Sequence, residues 1–178
     1  MRVTGGEFKG RVLKSSPGSH VRPTTDIARE GFFNILQHSL DWEDVAFLDL
    51  FSGTGIMSLE ALSRGCATVL SVDKHPKSVA FIKQLRHDFL APSDCHRWET
   101  QQGDGLVWSK SALHAFDLIY ADPPYDWPHY VMFVEQCLDN MKAGSLLCVE
   151  HQKQLVLKNS NLERARSYGQ SVISFFRK

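Results

Sequence analysis

The most chemically pointed segment of the sequence is Asp122-Pro123-Pro124-Tyr125. Two consecutive prolines lock their φ angles, which holds the Asp122 carboxylate and the Pro123 carbonyl in fixed positions. Both groups are acceptors, and an exocyclic amine on a nucleic-acid base offers two hydrogens. Such an amine is a poor nucleophile because its lone pair is delocalised into the ring. Two fixed acceptors hold the nitrogen and favour its pyramidal, reactive form. Tyr125 adds an aromatic face, with base stacking worth about 1–3 kcal/mol. A merely rigid loop would also use prolines, but it gives no reason for the flanking acid and aromatic. Asp122, Pro123, Pro124 and Tyr125 are therefore the candidate catalytic residues.

A second constellation is Asp49-Leu50-Phe51-Ser52-Gly53-Thr54-Gly55. Glycines at 53 and 55 let the backbone turn sharply and approach a ligand. A dinucleotide fingerprint would place a third glycine at 58, where this chain has Ser58. It would also leave a carboxylate at position 49 close to a pyrophosphate. S-Adenosylmethionine carries an amino group and a sulfonium instead of phosphate, and an acidic glycine loop suits it better than it suits a nicotinamide dinucleotide. A structural turn is the third reading. Asp73, 24 residues beyond Asp49, is placed to accept hydrogen bonds from both ribose hydroxyls. Asp104, in Gly103-Asp104-Gly105, either accepts from the adenine amine or is an ordinary turn aspartate. The candidate cofactor-binding set is Asp49, Phe51, Ser52, Gly53, Gly55, Asp73, Lys74, Asp104 and Gly105.

These residues need elements that bring them to one rim. Apolar runs at Val45–Leu50, Thr68–Val72, Phe116–Ala121 and Ser145–Val149 read as strands, with a more polar one at Arg97–Gln102 nearer a sheet edge. Helical spacing follows Thr24 or Thr25 (Ala28, Phe32, Ile35, Leu36, Leu40), and further helices are expected near Ile56–Arg64, Pro76–Leu90 and Pro128–Met141. Strand–helix alternation implies a parallel sheet covered on both faces. In such sheets ligands bind beyond the carboxyl ends of the strands, where Asp49, Asp73, Asp104 and Asp122 all fall. Two closing strands, Glu163–Tyr168 and Gln170–Phe176, are too close for a crossover and form an antiparallel hairpin. The first fourteen residues read as a short β-hairpin, and Ser15 to Pro23 as a loop.

The expectation is one α/β domain over 1–178, with a basic arm at 1–22 and a catalytic core at 23–178. Composition is that of a globular chain, 43% hydrophobic and 22% charged. No apolar run reaches the roughly 20 residues that span a bilayer, and no signal sequence opens the chain. A cytoplasmic protein is expected. The four cysteines form no CxxC pair and the eight histidines no HExxH spacing, so no metal site is expected. The formal net charge is zero. Residues 1–22, however, carry Arg2, Lys9, Arg11, Lys14 and Arg22 against Glu7, a net +4, which leaves −4 for the rest. That asymmetry suits a local nucleic-acid contact or a solvated hairpin with no partner.

Taken together, the motifs resemble one family along almost the whole chain. They are Gly5-Gly6-x-x-Lys9-Gly10-Arg11, Arg22-Pro23-Thr24-Thr25-Asp26-x-x-Arg29-Glu30, Phe33-Asn34, the glycine loop, Glu60-Ala61-Leu62-Ser63-Arg64-Gly65, the Asp-Pro-Pro-Tyr segment, Glu150-His151 and Tyr168-Gly169. The chain resembles the RsmD family of bacterial 16S ribosomal RNA guanine-N2 methyltransferases. These are class I enzymes with a Rossmann-like, mostly parallel seven-stranded sheet. Ser52 and Thr54 stand where the family often has alanine and serine; all are small. The resemblance implies S-adenosylmethionine as cofactor, 16S ribosomal RNA of the small subunit or an assembly intermediate as partner, and a monomer acting without metal or covalent intermediate. The target guanine would leave its stack and present its N2 amine to Asp122 and the Pro123 carbonyl. Arg2, Lys9, Arg11, Arg22 and Arg29 would hold RNA backbone, although Arg22 also suits loop scaffolding. Other readings are an amino-methyltransferase of another RNA or DNA base, for which 178 residues leave no target-recognition domain, and a non-catalytic ribosome-assembly factor.

Overall fold

Parallel strands buried on both faces read as continuous apolar runs, and four such strands form the centre of this molecule. The computed structural model describes residues 1–13, 18, 25–111 and 113–178. The expectations for Lys14, Arg22 and Thr24 lie outside them. The strands are β1 (Ala46–Leu50), β2 (Thr68–Asp73), β3 (Trp98–Gln102), β4 (Leu118–Ala121), β5 (Leu146–Gln152), β6 (Leu162–Tyr168) and β7 (Ser171–Arg177). They form one seven-stranded sheet in the order β3-β2-β1-β4-β5-β7-β6. The first five are parallel, while β7 runs antiparallel between β5 and β6. The polar β3 is indeed an edge. Asp49 sits beside Ser71 on β2 and Tyr120 on β4.

The helices are α1 (Asp26–Leu36), α2 (Ile56–Ser63), α3 (Pro76–Phe89), the single turn α4 (Gly105–Trp108) and α5 (Tyr130–Asn140). Thr25 caps α1, its hydroxyl accepting from Ala28 N at 3.2 Å. Pro76 opens α3, where its missing N–H is not needed. Three bounds differ from the sequence reading. Helix α1 stops before Leu40 in a turn closed by Ser39 N on Leu36 O at 3.0 Å. Helix α5 starts after Pro128 because Trp127 N folds back onto Pro124 O at 2.9 Å. Strand β5 extends through Glu150-His151 to Gln152 because β7 pairs with it over that length.

The sheet divides the core in two. On one face Phe32, Phe33, Leu59, Ile82 and Trp98 pack with α1, α2 and α3; on the other Phe133, Val134 and Cys137 of α5 pack on Leu48, Ile119 and Leu147. All eight residues of α2 are buried. The N-terminal ribbon covers it, joined by the bridge Arg2↔Val12. Buried polar groups need partners, and those of α2 have them. Ser63 Oγ donates to Gly5 O at 2.6 Å and accepts from Phe8 N at 2.8 Å. Glu60 accepts from Thr4 N and Thr4 Oγ1 at 2.8 and 2.6 Å and pairs with Arg29 and Arg64.

Candidate active site

Strand ends and the turns after them enclose a cavity of about 340 Å³, lined from both constellations. Asp49, Phe51, Ser52 and Gly53 come from β1 and its loop, Asp73 and Lys74 from the end of β2, and Gly105 from α4. Asp122, Pro123, Pro124 and Tyr125 close the same cavity from the end of β4.

The glycine-loop half is made largely by backbone. Phe51 adopts φ +59°, an uncommon left-handed conformation for a non-glycine residue. Gly55 follows with φ +70° and donates its N–H to Ser52 O at 2.7 Å, starting α2. Asp73 is clamped by two backbone donors, Gly53 N on Oδ2 and His75 N on Oδ1, both at 2.8 Å. A Cβ on Gly105 would lie 2.4 Å from the Phe51 ring, so that ring rests directly on the glycine backbone. Ser52 Oγ is buried in the lining without a hydrogen-bond partner among the described residues. Burial pushes the Asp49 carboxyl up to about 7; hydrogen bonding from Ser58 opposes this and the charge of Asp73 adds to it.

The Asp-Pro-Pro-Tyr half is held by side chains from elsewhere in the chain. Tyr130 Oη lies 3.2 Å from both Pro123 O and Pro124 O. Gln152 Nε2 donates to Tyr125 O at 3.1 Å, and Tyr125 Oη pairs with Ser171 Oγ at 2.6 Å. Behind them His151 Nε2 lies 2.9 Å from Ser174 Oγ. Burial holds that imidazole's pKa below its usual value, with the Gln152 carbonyl and Glu150 opposing. Trp127 joins the halves, its ring 5.2 Å from that of Phe51 in an edge contact.

Several expected residues lie elsewhere. Gly55 shapes the loop but does not line the cavity, and neither does Asp104. Asp104 is exposed and caps α4, with Oδ1 accepting from Leu106 N at 2.8 Å; the turn-aspartate reading describes this placement. Arg29, expected at RNA, is fully buried and bonded to Glu60, Asp26 and Arg2 O. An interior guanidinium committed to those acceptors has no surface to offer a phosphate. Arg11 is exposed, but its guanidinium stacks 4.0 Å from the Phe89 ring centroid and donates to Asp88 O at 3.0 Å. Lys9 is exposed at the ribbon's turn, beside Glu7 N on Ser63 O. Helix α2 leaves the rim at Ile56, so Ser63 is about 10 Å away along its axis. The ribbon's turn therefore lies at the far end of α2 from the cavity. Arg22 lies outside the described residues.

The cavity also uses residues outside the candidate catalytic and cofactor-binding sets: Thr54, Ile56, Met57, His75, Gly103 and Tyr120. Ile56 and Met57 look like core spacing, and Tyr120 sits inside an apolar strand run. Thr54, inside the glycine loop, and Gly103, beside Asp104 in a Gly-Asp-Gly turn, carried usable signals. Among the described residues, no group of three His, Cys, Asp or Glu could hold a metal ion, and no helix is long and apolar enough to cross a membrane.

The cavity suits a cationic, nucleoside-bearing cofactor. Buried carboxylates at 49 and 73 call for positive or donor-rich groups, the orphaned Ser52 hydroxyl awaits a partner, and the Phe51 ring, seated on Gly105, offers an aromatic surface for a flat ring. Its volume lies in the range of small-molecule sites.

Comparison with known proteins agrees. Residues 1–177 match the family described as Conserved hypothetical protein 95. Ribosomal RNA small subunit methyltransferase D of Escherichia coli (strain K12) is 41% identical over 127 residues, which span 70% of this chain and 60% of that protein. Among solved structures, the Escherichia coli protein yhhF superposes with a TM-score of 0.83 at 25% identity, over 100% of this chain and 97% of that one. An RNA methyltransferase from Salinibacter ruber, in complex with S-adenosyl-L-homocysteine, shares the fold with a TM-score of 0.69 at 12% identity, over 88% and 93% of the two chains.

Proposed function

The chain belongs to the Conserved hypothetical protein 95 (RsmD) family, and we propose that it methylates the exocyclic N2 amine of a guanine in 16S ribosomal RNA of the small subunit. The coarser part of that statement, S-adenosylmethionine-dependent methylation of ribosomal RNA, follows from the family and its named members. One observation carries the amine-methylating part of the finer reading, and the choice of guanine N2 rests on the family resemblance. A single cavity joins the acidic glycine loop to the Asp-Pro-Pro-Tyr segment, so a methyl donor and an amine acceptor can meet there.

The cofactor supplies a methyl group activated on sulfonium sulfur. Asp49 would take its amino group, Asp73 its ribose hydroxyls, and Phe51 and Gly105 the adenine. On the other side, Asp122 and the Pro123 carbonyl would accept the two hydrogens of the base amine, which turns the nitrogen lone pair towards the donor methyl. A carbonyl has two lone pairs, so Pro123 can serve the base while Tyr130 holds it. Tyr125, fixed by Ser171, would pack on the ring. Alignment and charge placement then supply most of the rate. The methylated nitrogen is acidic, and Asp122, partly open to solvent, can pass its proton to water. Arg2, Lys9 and Arg22 are proposed to contact RNA backbone.

Asp122→Ala should lower methyl transfer by about 100-fold or more while cofactor affinity stays within a few-fold. Turnover would be measured on ribosomal RNA or subunits from cells lacking this protein, with nucleoside mass spectrometry of the product. Unchanged turnover removes the base pocket from Asp122. A methylated adenine in place of N2-methylguanine leaves the chemistry standing and overturns the choice of base.

A further inference from the structure

A string of buried polar groups runs through the α1–α3 face of the sheet and ends on Asp49. Trp98 Nε1 donates to Ser71 Oγ at 2.8 Å, Ser71 Oγ lies 2.6 Å from Ser58 Oγ, and Ser58 Oγ donates to Asp49 Oδ2 at 2.6 Å. Trp98, Ser71 and Ser58 have no exposed surface, and Asp49 is 2% exposed. Four elements contribute one residue each: β3, β2, α2 and β1. We propose that Trp98, Ser71 and Ser58 are positioning residues, a one-way hydrogen-bond relay that holds Asp49 as an oriented carboxylate for the cofactor's amino group. The proposal rests on the cofactor assignment above.

The direction of the relay follows from proton counting. An indole N–H can only donate, and a hydroxyl has a single proton. Ser58 gives its proton to Asp49, so in the Ser58–Ser71 pair Ser71 must be the donor. Ser71 in turn accepts from Trp98, and every proton is used. Now place a proton on Asp49 Oδ2. It would donate to Ser58, Ser58 would turn to Ser71, and Ser71 would accept from both sides. The Ser71 proton would then have no acceptor among the described residues, in a site with no water-exposed surface. A buried polar group left unmatched is costly. A proton on Oδ1 instead keeps the pattern but makes Oδ2 a weaker acceptor for Ser58, so the string favours the charged form of Asp49 against the burial that disfavours it.

Besides the string, the Ser58 backbone N–H also favours the charged form. Asp73 at the end of β2 opposes ionisation. Lys74 and His75 follow it on the exposed rim, and Asp122 lies at the end of β4. On β4, Tyr120 donates to Glu150 of β5 at 2.6 Å. Helix α2 turns Ser58 towards Asp49, while its Glu60 is committed to Arg29 and Arg64. Asp49 is raised to about 7 from its ordinary value of 3.8. It is neutral well below that point and charged above it, so affinity for a cationic amine rises as pH rises through about 7, until the amine itself loses its proton near pH 8.

The test uses Trp98→Phe, which removes the terminal donor, and Ser71→Ala, which breaks the string with the loss of one oxygen. Carboxyl-carbon NMR of the ligand-free protein reads the Asp49 titration directly. In both variants its midpoint should move up by roughly half to one unit, the worth of a hydrogen bond. Calorimetric Kd for S-adenosylmethionine should weaken by about twofold to sixfold at pH 7, and the difference should narrow to under about twofold by pH 8, before the ligand's own α-amino group has lost most of its charge. An unmoved midpoint, or an affinity defect equal at all pH values, overturns the relay. Should Trp98→Phe fail to fold, Ser71→Ala reads the same shift. If the wild-type protein binds no S-adenosylmethionine at any pH, the cofactor assignment fails, while the ligand-free titration still decides whether the relay exists.

Discussion

The two halves of the cavity are built on different principles. The glycine-loop half takes its shape from backbone: left-handed Phe51 and Gly55, a Phe51 ring resting on Gly105, and Asp73 clamped by two N–H groups. The Asp-Pro-Pro-Tyr half has stiff residues but is held from outside, by Tyr130 of α5, Gln152 of β5 and Ser171 of β7. Backbone shape tolerates no added atom, whereas side-chain clips can be removed one at a time. The first half should therefore fail abruptly when altered and the second by degrees.

The largest effect expected from this contrast is at Gly105. In Gly105→Ala the new Cβ drives the Phe51 ring towards the cavity, and overpacking of this kind costs about 1–3 kcal/mol. Cofactor Kd should weaken by about 10- to 100-fold in calorimetry. A Kd near wild type would mean that the Phe51 ring does not shape the cofactor site. Next is Tyr130→Phe, which deletes one hydroxyl from Pro123 and Pro124. With a net hydrogen bond worth about 0.5–1.5 kcal/mol, kcat should fall by about 3- to 10-fold while cofactor Kd stays within twofold. Equal loss in both quantities would blur the two halves into one. The smallest effect concerns neither half. Lys9→Ala, at the far end of α2, should leave turnover under saturating RNA unchanged and reduce the salt slope of RNA binding by about one. A slope equal to wild type would take the ribbon's turn out of the RNA interface.

The same contrast explains what could be read in advance. Asp49, Gly53, Asp73 and the Asp-Pro-Pro-Tyr segment announced themselves because each is a local pattern at a strand end, and strand ends of a parallel sheet share one rim. The clips did not. Tyr125 and Ser171 lie 46 residues apart, and they meet only because β7 inserts beside β5, an order that alternation of apolar runs does not specify. Arg29 misled for the opposite reason. Its sequence neighbours fit a basic, RNA-facing segment, yet helical phase turns it inwards onto Glu60.

From residue order alone, this protein's strand–helix alternation, its antiparallel closing hairpin and the residue types of its two motifs at strand ends were already determined, because each depends on neighbours within a few positions. Tertiary structure alone decided that the motifs share one cavity, that Arg29 is interior, that the ribbon's turn lies away from the rim, and that Trp98 reaches Asp49 through two serines. Those outcomes depend on which strands become neighbours and on which face each helix turns to the sheet, and both are fixed by packing of the whole core.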